Sequence, residues 1–223
     1  MKLMIAAAAL AMPVAASAAP AVDWSRTVVK TAAGGFQMGN PKARVKLIEY
    51  GSLACPHCRH FEQTGYKPLV RGYVRTGKVS YEFRNLLLNS PDLSVSLLAH
   101  CAGAAKFFPM SEVVFATQPA WFQKVADLTD DQRAAMVKMT SAERTAAIGQ
   151  AAGFPQIAAR FGVTPLRAKQ CYADPKGTER LLAMSKAAID NGIASTPTFL
   201  VNGTKADAST WEELEPLLKK AGG

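Results

Sequence analysis

Residues 45–58 read VKLIEYGSLACPHC, and this stretch decides the fold. Val45 to Tyr50 is a short apolar run that reads as a buried strand, apart from Lys46 and one conspicuous carboxylate, Glu49. Gly51-Ser52-Leu53-Ala54 then turns the chain. Pro56 suits the first turn of a helix, because its missing N–H would lack an intrahelical partner there anyway. That helix is expected to run to about Arg75, with Gly77 closing it, and Lys78 to Leu88 (KVSYEFRNLLL) contains a second strand. Strand, helix, strand in this order is a βαβ unit, right-handed by default. Cys55 and Cys58 therefore fall at a strand-to-helix junction.

Working outward, residues 19–43 form an N-terminal lead-in. It holds a β-prone run at Thr27-Val28-Val29, a Gly34-Gly35 turn and strong punctuation at Gly39-Asn40-Pro41. From Asp92 to Asn191 the pattern turns helical, with apolar residues at three- and four-residue spacing, as in Leu93, Leu97, Leu98 and Cys101. Stops are expected at Pro109, Gly153, Pro155, Pro165 and Pro175, and helix starts at Ser141 and at Thr129-Asp-Asp-Gln, which is spaced as a capping box. Extended structure resumes at Thr196-Pro197-Thr198-Phe199-Leu200-Val201. Asn202-Gly203 signals a two-residue hairpin, Lys205 to Ala208 would be a short returning edge strand, and Ser209 would cap a last helix, Thr210 to Lys220. Two β-containing parts flank a helical block. One sheet built from residues 44–91 and 192–223, interrupted by a helical subdomain at 92–191, explains that order better than two separate domains.

The 223 residues suit one domain carrying an insertion, and 49% hydrophobic with 19% charged residues argues for a packed core over long disorder. Lys2, the apolar run from Leu3 to Ala16 and the small residues Ala16-Ser17-Ala18 have the layout of a cleaved export signal, residues 1–18. The run is shorter than the ~20 residues a spanning helix needs. The formal net charge of +9 drops by one when Lys2 leaves with that signal. No block of five basic residues and no Arg-rich stretch with interleaved aromatics supports nucleic-acid binding. Export also changes what the four cysteines mean, since thiols outside the cytosol meet oxidants.

A Cys-x-x-Cys pair arises by chance about one time in twenty in such a chain, so its placement carries the weight. Cys55 just before a helix meets free backbone N–H groups and the macrodipole, both of which favour a thiolate. Cys58, one turn later, is within disulfide reach and can resolve a mixed disulfide from within. His57 can donate a hydrogen bond or a positive charge to the Cys55 sulfur. A stabilised thiolate stabilises the reduced form and makes the disulfide a stronger oxidant. Zinc held by Cys55, His57, Cys58 and His60 is disfavoured by poor geometry for four ligands from one hexapeptide and by the lack of a second knuckle. A purely structural 55–58 bridge would constrain little chain entropy. Glu49 either points to solvent or lies beneath the cysteines as a buried acid that relays the Cys58 proton; its place in an apolar run favours the second.

CPHC after E-Y-G-S-L-A, together with T-P-T-F-L-V-N-G at Thr196–Gly203, resembles the DsbA-like periplasmic branch of the thioredoxin superfamily, over about residues 24–220. The resemblance implies an α/β, thioredoxin-like fold with an inserted helical subdomain. It implies Cys55 as nucleophile, Cys58 as resolving thiol, His57 as the residue tuning oxidising power and Glu49 as the buried acid. Pro197 matches the cis-proline that faces the disulfide, with Thr196 before it, where an extended substrate peptide is expected to pair. Cys101 and Cys171 depart from the simplest family pattern; they are either a second, structural disulfide, favoured by the compartment, or two buried thiols. The expected activity is disulfide donation to unfolded or newly exported proteins. It needs no cofactor or metal beyond the Cys55–Cys58 disulfide, works from a monomer in the periplasm, and relies on reoxidation by a membrane partner resembling DsbB. An isomerase or reductase kept reduced by a membrane electron donor is the alternative, and a redox-inactive peptide-binding module of the same fold stands further off.

Overall fold

The computed structural model describes residues 22–223; the expected export signal lies outside them. Six strands form one mixed sheet: β1 (Val28–Lys30), β2 (Phe36–Met38), β3 (Val45–Gly51), β4 (Val79–Asn85), β5 (Thr198–Val201) and β6 (Thr204–Lys205), in the order β1-β2-β4-β3-β5-β6. Only β3 and β4 run parallel, as their strand–helix–strand connection requires; every other neighbour pair is antiparallel. The chain between them is α1 (Pro56–Phe61), a wide π-type turn over Glu62–Tyr66, α2 (Lys67–Leu69) and a second wide turn over Val70–Val74.

The helical block is α3 (Ser90–Ala102), α4 (Ala104–Ala116), α5 (Gln118–Ala126), α6 (Asp130–Val137), α7 (Ser141–Ala152), α8 (Phe154–Ala159), α9 (Pro165–Ala173) and α10 (Pro175–Asp190); α11 (Trp211–Lys220) follows the last hairpin. Strand alternation puts Val45, Leu47 and Glu49 on one sheet face, in the main core with Phe61, Leu69, Phe107 and Phe199. Tyr50 faces the other way, into a smaller cluster with Leu86, Ala188 and Ile193. Cys101 at the end of α3 is bonded to Cys171 of α9, which ties two helices of the block across 70 residues of sequence.

Several expectations need correction. Pro109 does not stop a helix but lies inside α4; the break falls at Gly103, whose φ of 83° is unfavourable for other residues. A proline forfeits one N–H bond, and the buried Phe107, Phe108 and Met110 around it hold the helix by packing. Thr210, not Ser209, caps α11, whereas α7 starts at Ser141 as expected, with Thr140 as its cap. Each cap closes a capping box with the acid three residues on, Glu143 for Thr140 and Glu213 for Thr210; Ser209 has an acid at that spacing too, Glu212, but its N–H and hydroxyl donate to Glu213 instead. The Thr129 box on α6 forms as expected. Asn202 and Gly203 both take positive φ, 51° and 83°, and make the hairpin, but the returning strand is only Thr204–Lys205. The lead-in also does more than its sequence suggested. β2 pairs with β4 in the register Phe36↔Phe83, and Phe36 stacks on Phe107 with ring centres 4.2 Å apart.

Candidate active site

Cys55 is the N-cap of α1, with extended backbone (φ −85°, ψ 125°) and Pro56 at the first helical position. Its sulfur accepts the Cys58 N–H at 3.4 Å, occupying one of the free donors of the helix start. The thiol form reaches the Thr196 carbonyl at 3.2 Å. Thr196 and Pro197, joined by a cis peptide bond, thus sit directly against the first cysteine although they lie far along the chain. Both cysteines are reduced, and both are buried.

The electrostatics separate the pair. The Cys55 thiol is brought down to about 5, chiefly by a hydrogen bond from the Cys58 thiol; burial opposes this, and Thr196 and the backbone N–H groups of Cys58 and His57 add to it. Burial and the same contact with Cys55 push Cys58 well above an ordinary thiol. At neutral pH the first sulfur is an anion and the second is a protonated donor to it. The His57 side chain is exposed. Its backbone N–H contributes to holding the Cys55 thiolate.

Glu49 is 2% exposed. Its carboxylate accepts the Tyr81 hydroxyl at 2.5 Å, and a Cβ on Gly51 would come within 2.8 Å of its Oε1, so the last residue of β3 must be bare there. Burial raises this carboxyl to about 8; Tyr81 pulls it back and the Cys55 charge raises it. The carboxylate couples to both cysteines, so the buried placement holds and the solvent-facing one does not.

Two residues the sequence reading passed over touch the turn that carries Cys55. Asp92 of α3 accepts from the Ser52 hydroxyl (2.5 Å) and the Leu53 N–H (3.2 Å). Gln118 at the start of α5 donates from Nε2 to the carbonyls of Leu53 (3.1 Å) and Cys55 (3.2 Å). Their local sequences, Ser90-Pro-Asp-Leu-Ser94 and Ala116-Thr-Gln-Pro-Ala120, carry no signal for that role. Among the described residues no group of three or more His, Cys, Asp or Glu could hold a metal ion, and no helix is long and apolar enough to cross a membrane.

A free Cys-x-x-Cys pair at a strand-to-helix junction, facing Thr196-Pro197 across the sheet, is the arrangement of thioredoxin-fold redox proteins. Residues 31–220 match the family model described as thioredoxin, and the chain belongs to that family. Within it the chain is DsbA-like, of the thiol–disulfide oxidoreductase class. It is 28% identical over 209 residues to a Rickettsia bellii protein provisionally named protein-disulfide oxidoreductase, covering 91% of this chain and 70% of that one. A structure of a protein-disulfide isomerase from Novosphingobium aromaticivorans aligns with a TM-score of 0.77 at 30% identity, over 84% of this chain and 97% of the other. The Wolbachia pipientis protein alpha-DsbA1 aligns with a TM-score of 0.65 at 26% identity, over 83% and 90%.

Proposed function

We propose that the chain is a disulfide donor for unfolded or newly exported proteins, acting in the periplasm after its signal is removed. The observation that carries this reading is the Cys55 sulfur, held as an anion at about 5 by Cys58 and the start of α1. A stabilised thiolate favours the reduced dithiol and so makes the Cys55–Cys58 disulfide a strong oxidant.

In the forward reaction a substrate thiolate attacks Cys55 Sγ of the oxidised protein. The Cys55–Cys58 bond breaks, a mixed disulfide forms at Cys55, and the electron pair leaves with Cys58. Cys58 is poorly stabilised as an anion, and the neutral Glu49 carboxyl supplies its proton. A second substrate thiolate attacks the substrate sulfur of the mixed disulfide and expels Cys55 as the stable thiolate. Two substrate thiols become one disulfide, and the protein's disulfide becomes a dithiol. Thr196 and Pro197 meet the substrate backbone beside the sulfur, next to an open groove whose walls include Ser195, Lys205 and Glu213. His57 lies at the exposed rim of the pair. Reoxidation falls to a membrane partner resembling DsbB.

Equilibration with glutathione tests this reading. A potential near about −120 mV supports the donor, whereas about −270 mV would make the chain a reductase. The isomerase named for the Novosphingobium structure is the second reading. A scrambled-disulfide substrate separates the two: a donor leaves it scrambled, and an isomerase restores its native pairing.

A further inference from the structure

The turn Ser52–Ala54 presents Cys55 to Cys58, yet its own strand and helix do not hold it alone. Cys55 N–H bonds back to the Ser52 carbonyl at 3.1 Å, and the Ser52 hydroxyl oxygen accepts the Ala54 N–H at 3.0 Å. Every other side-chain grip comes from the helical block. From one side, Asp92 takes the Ser52 hydroxyl and the Leu53 N–H, and also the Leu88 N–H at 3.0 Å beyond the end of β4. From the other side, Gln118 is 2% exposed and spends both its Nε2 hydrogens on the carbonyls of Leu53 and Cys55. Asp92 is itself fixed between α3 and the end of β4: the Ser96 hydroxyl donates to it at 3.3 Å, Asn85 of β4 donates to Ser96 at 3.0 Å, and His100 meets Asn85 at 2.9 Å.

We propose that Asp92 and Gln118 are positioning residues that clamp the Ser52–Cys55 turn, so that the Cys55 sulfur stays in line with the Cys58 N–H and the inserted helices form part of the redox site. This role rests on exchange through Cys55 and deepens it. A cap sulfur gains from a backbone N–H chiefly along the donor direction, so the 3.4 Å contact depends on how the turn orients Cys55. Gln118 shares the carbonyl of Cys55 with the Arg59 N–H, which donates at 3.0 Å, so its loss leaves that carbonyl on the helix bond alone and the Leu53 carbonyl free to turn. Leaving the Leu53 carbonyl without its Gln118 donor would also draw water to a turn whose residues Leu53, Ala54 and Cys55 are all buried.

The test is a pair of variants in the full chain, Gln118→Met and Ser52→Ala. The first keeps length and removes both donated bonds; the second removes the hydroxyl that Asp92 grips, and with it the acceptor of the Ala54 N–H within the turn. Urea unfolding establishes that each folds, and the thiolate absorbance of Cys55 is then titrated with pH. Weakening the Cys55 contact by one ordinary hydrogen bond corresponds to roughly half to one unit of upward shift in the midpoint. The rate of Cys55 alkylation well above the midpoint should change far less, since the ionised sulfur is the same nucleophile. A purely structural role would lower the urea midpoint and leave the titration where it is in the wild type. Folded variants of both kinds with the wild-type midpoint overturn the clamp. A wild-type midpoint near that of free cysteine would instead overturn the exchange reading, so the two failures are distinct.

Discussion

Replacing Glu49 by Gln should invert part of the protein's response to pH. The carboxyl ionises near 4.5 in an unfolded chain but only at about 8 in the fold, where burial disfavours its charge. A carboxyl raised in this way leaves stability intact below about pH 4.5 and removes it as pH climbs toward 8, because the unfolded chain releases the proton first. Between pH 5 and pH 8 the loss from this one group amounts to roughly 3–4 kcal/mol, taking ~1.36 kcal/mol per unit of displaced ionisation. The glutamine side chain of the variant keeps the shape and an acceptor for the Tyr81 hydroxyl but carries no proton to lose. Glu62 and Asp92 are raised in the same direction and Cys55 is lowered, but all three are common to both proteins. Urea unfolding of the reduced proteins at pH 5, 6, 7 and 8 isolates Glu49 as the widening gap between them. The Glu49→Gln variant should gain on the wild type by about 3 kcal/mol across the series. Parallel pH profiles would overturn this expectation, since Glu49 would then ionise alike in the folded and unfolded chain.

Three further outcomes follow from the same geometry. Cys58→Ala leaves Cys55 without its resolving thiol and should accumulate mixed disulfides with reduced, unfolded substrate on non-reducing gels; their absence contradicts attack at Cys55. The double variant Cys101→Ala with Cys171→Ala frees a loop spanning 70 residues, which the chain-entropy account values at about 4 kcal/mol. Urea unfolding reads that loss, and a change below about 1 kcal/mol would show that the unfolded chain is already constrained there. Tyr81→Phe removes the hydrogen bond that favours ionised Glu49, so the Glu49 carboxyl should titrate higher still by NMR; a fall would mean that Tyr81 does not donate to it.

The parts of this molecule that the sequence disclosed are those set by neighbouring residues. The strand into Cys55, Pro56 at the helix start, the Asn202-Gly203 turn and the Thr129 capping box all rest on contacts a few residues long, and all are present. The cap of α11 falls on Thr210 and not Ser209, a choice local sequence does not make, because each has an acid three residues on, Glu213 and Glu212. What stayed hidden depends on distant partners. Phe36–Met38 is a three-residue strand that exists through its pairing with β4, far along the chain. Asp92 and Gln118 reach the Cys55 turn across 39 and 65 residues to Leu53, and nothing local marks them. Pro109 misled because buried packing outweighs one missing N–H. At the site, the residue types named from the sequence do gather: Cys55, Cys58, Thr196, Pro197 and Glu49 meet, while His57 is exposed at the surface.

The proposed disulfide donation depends on the Cys55 sulfur being an anion at neutral pH. Absorbance of the reduced protein near 240 nm, followed from pH 3 to pH 9, reads that thiolate directly, with Cys58 silent because it ionises only at much higher pH. The expected result is one transition with a midpoint of about 5. A single transition near 9, the value of an unperturbed thiol, would contradict it.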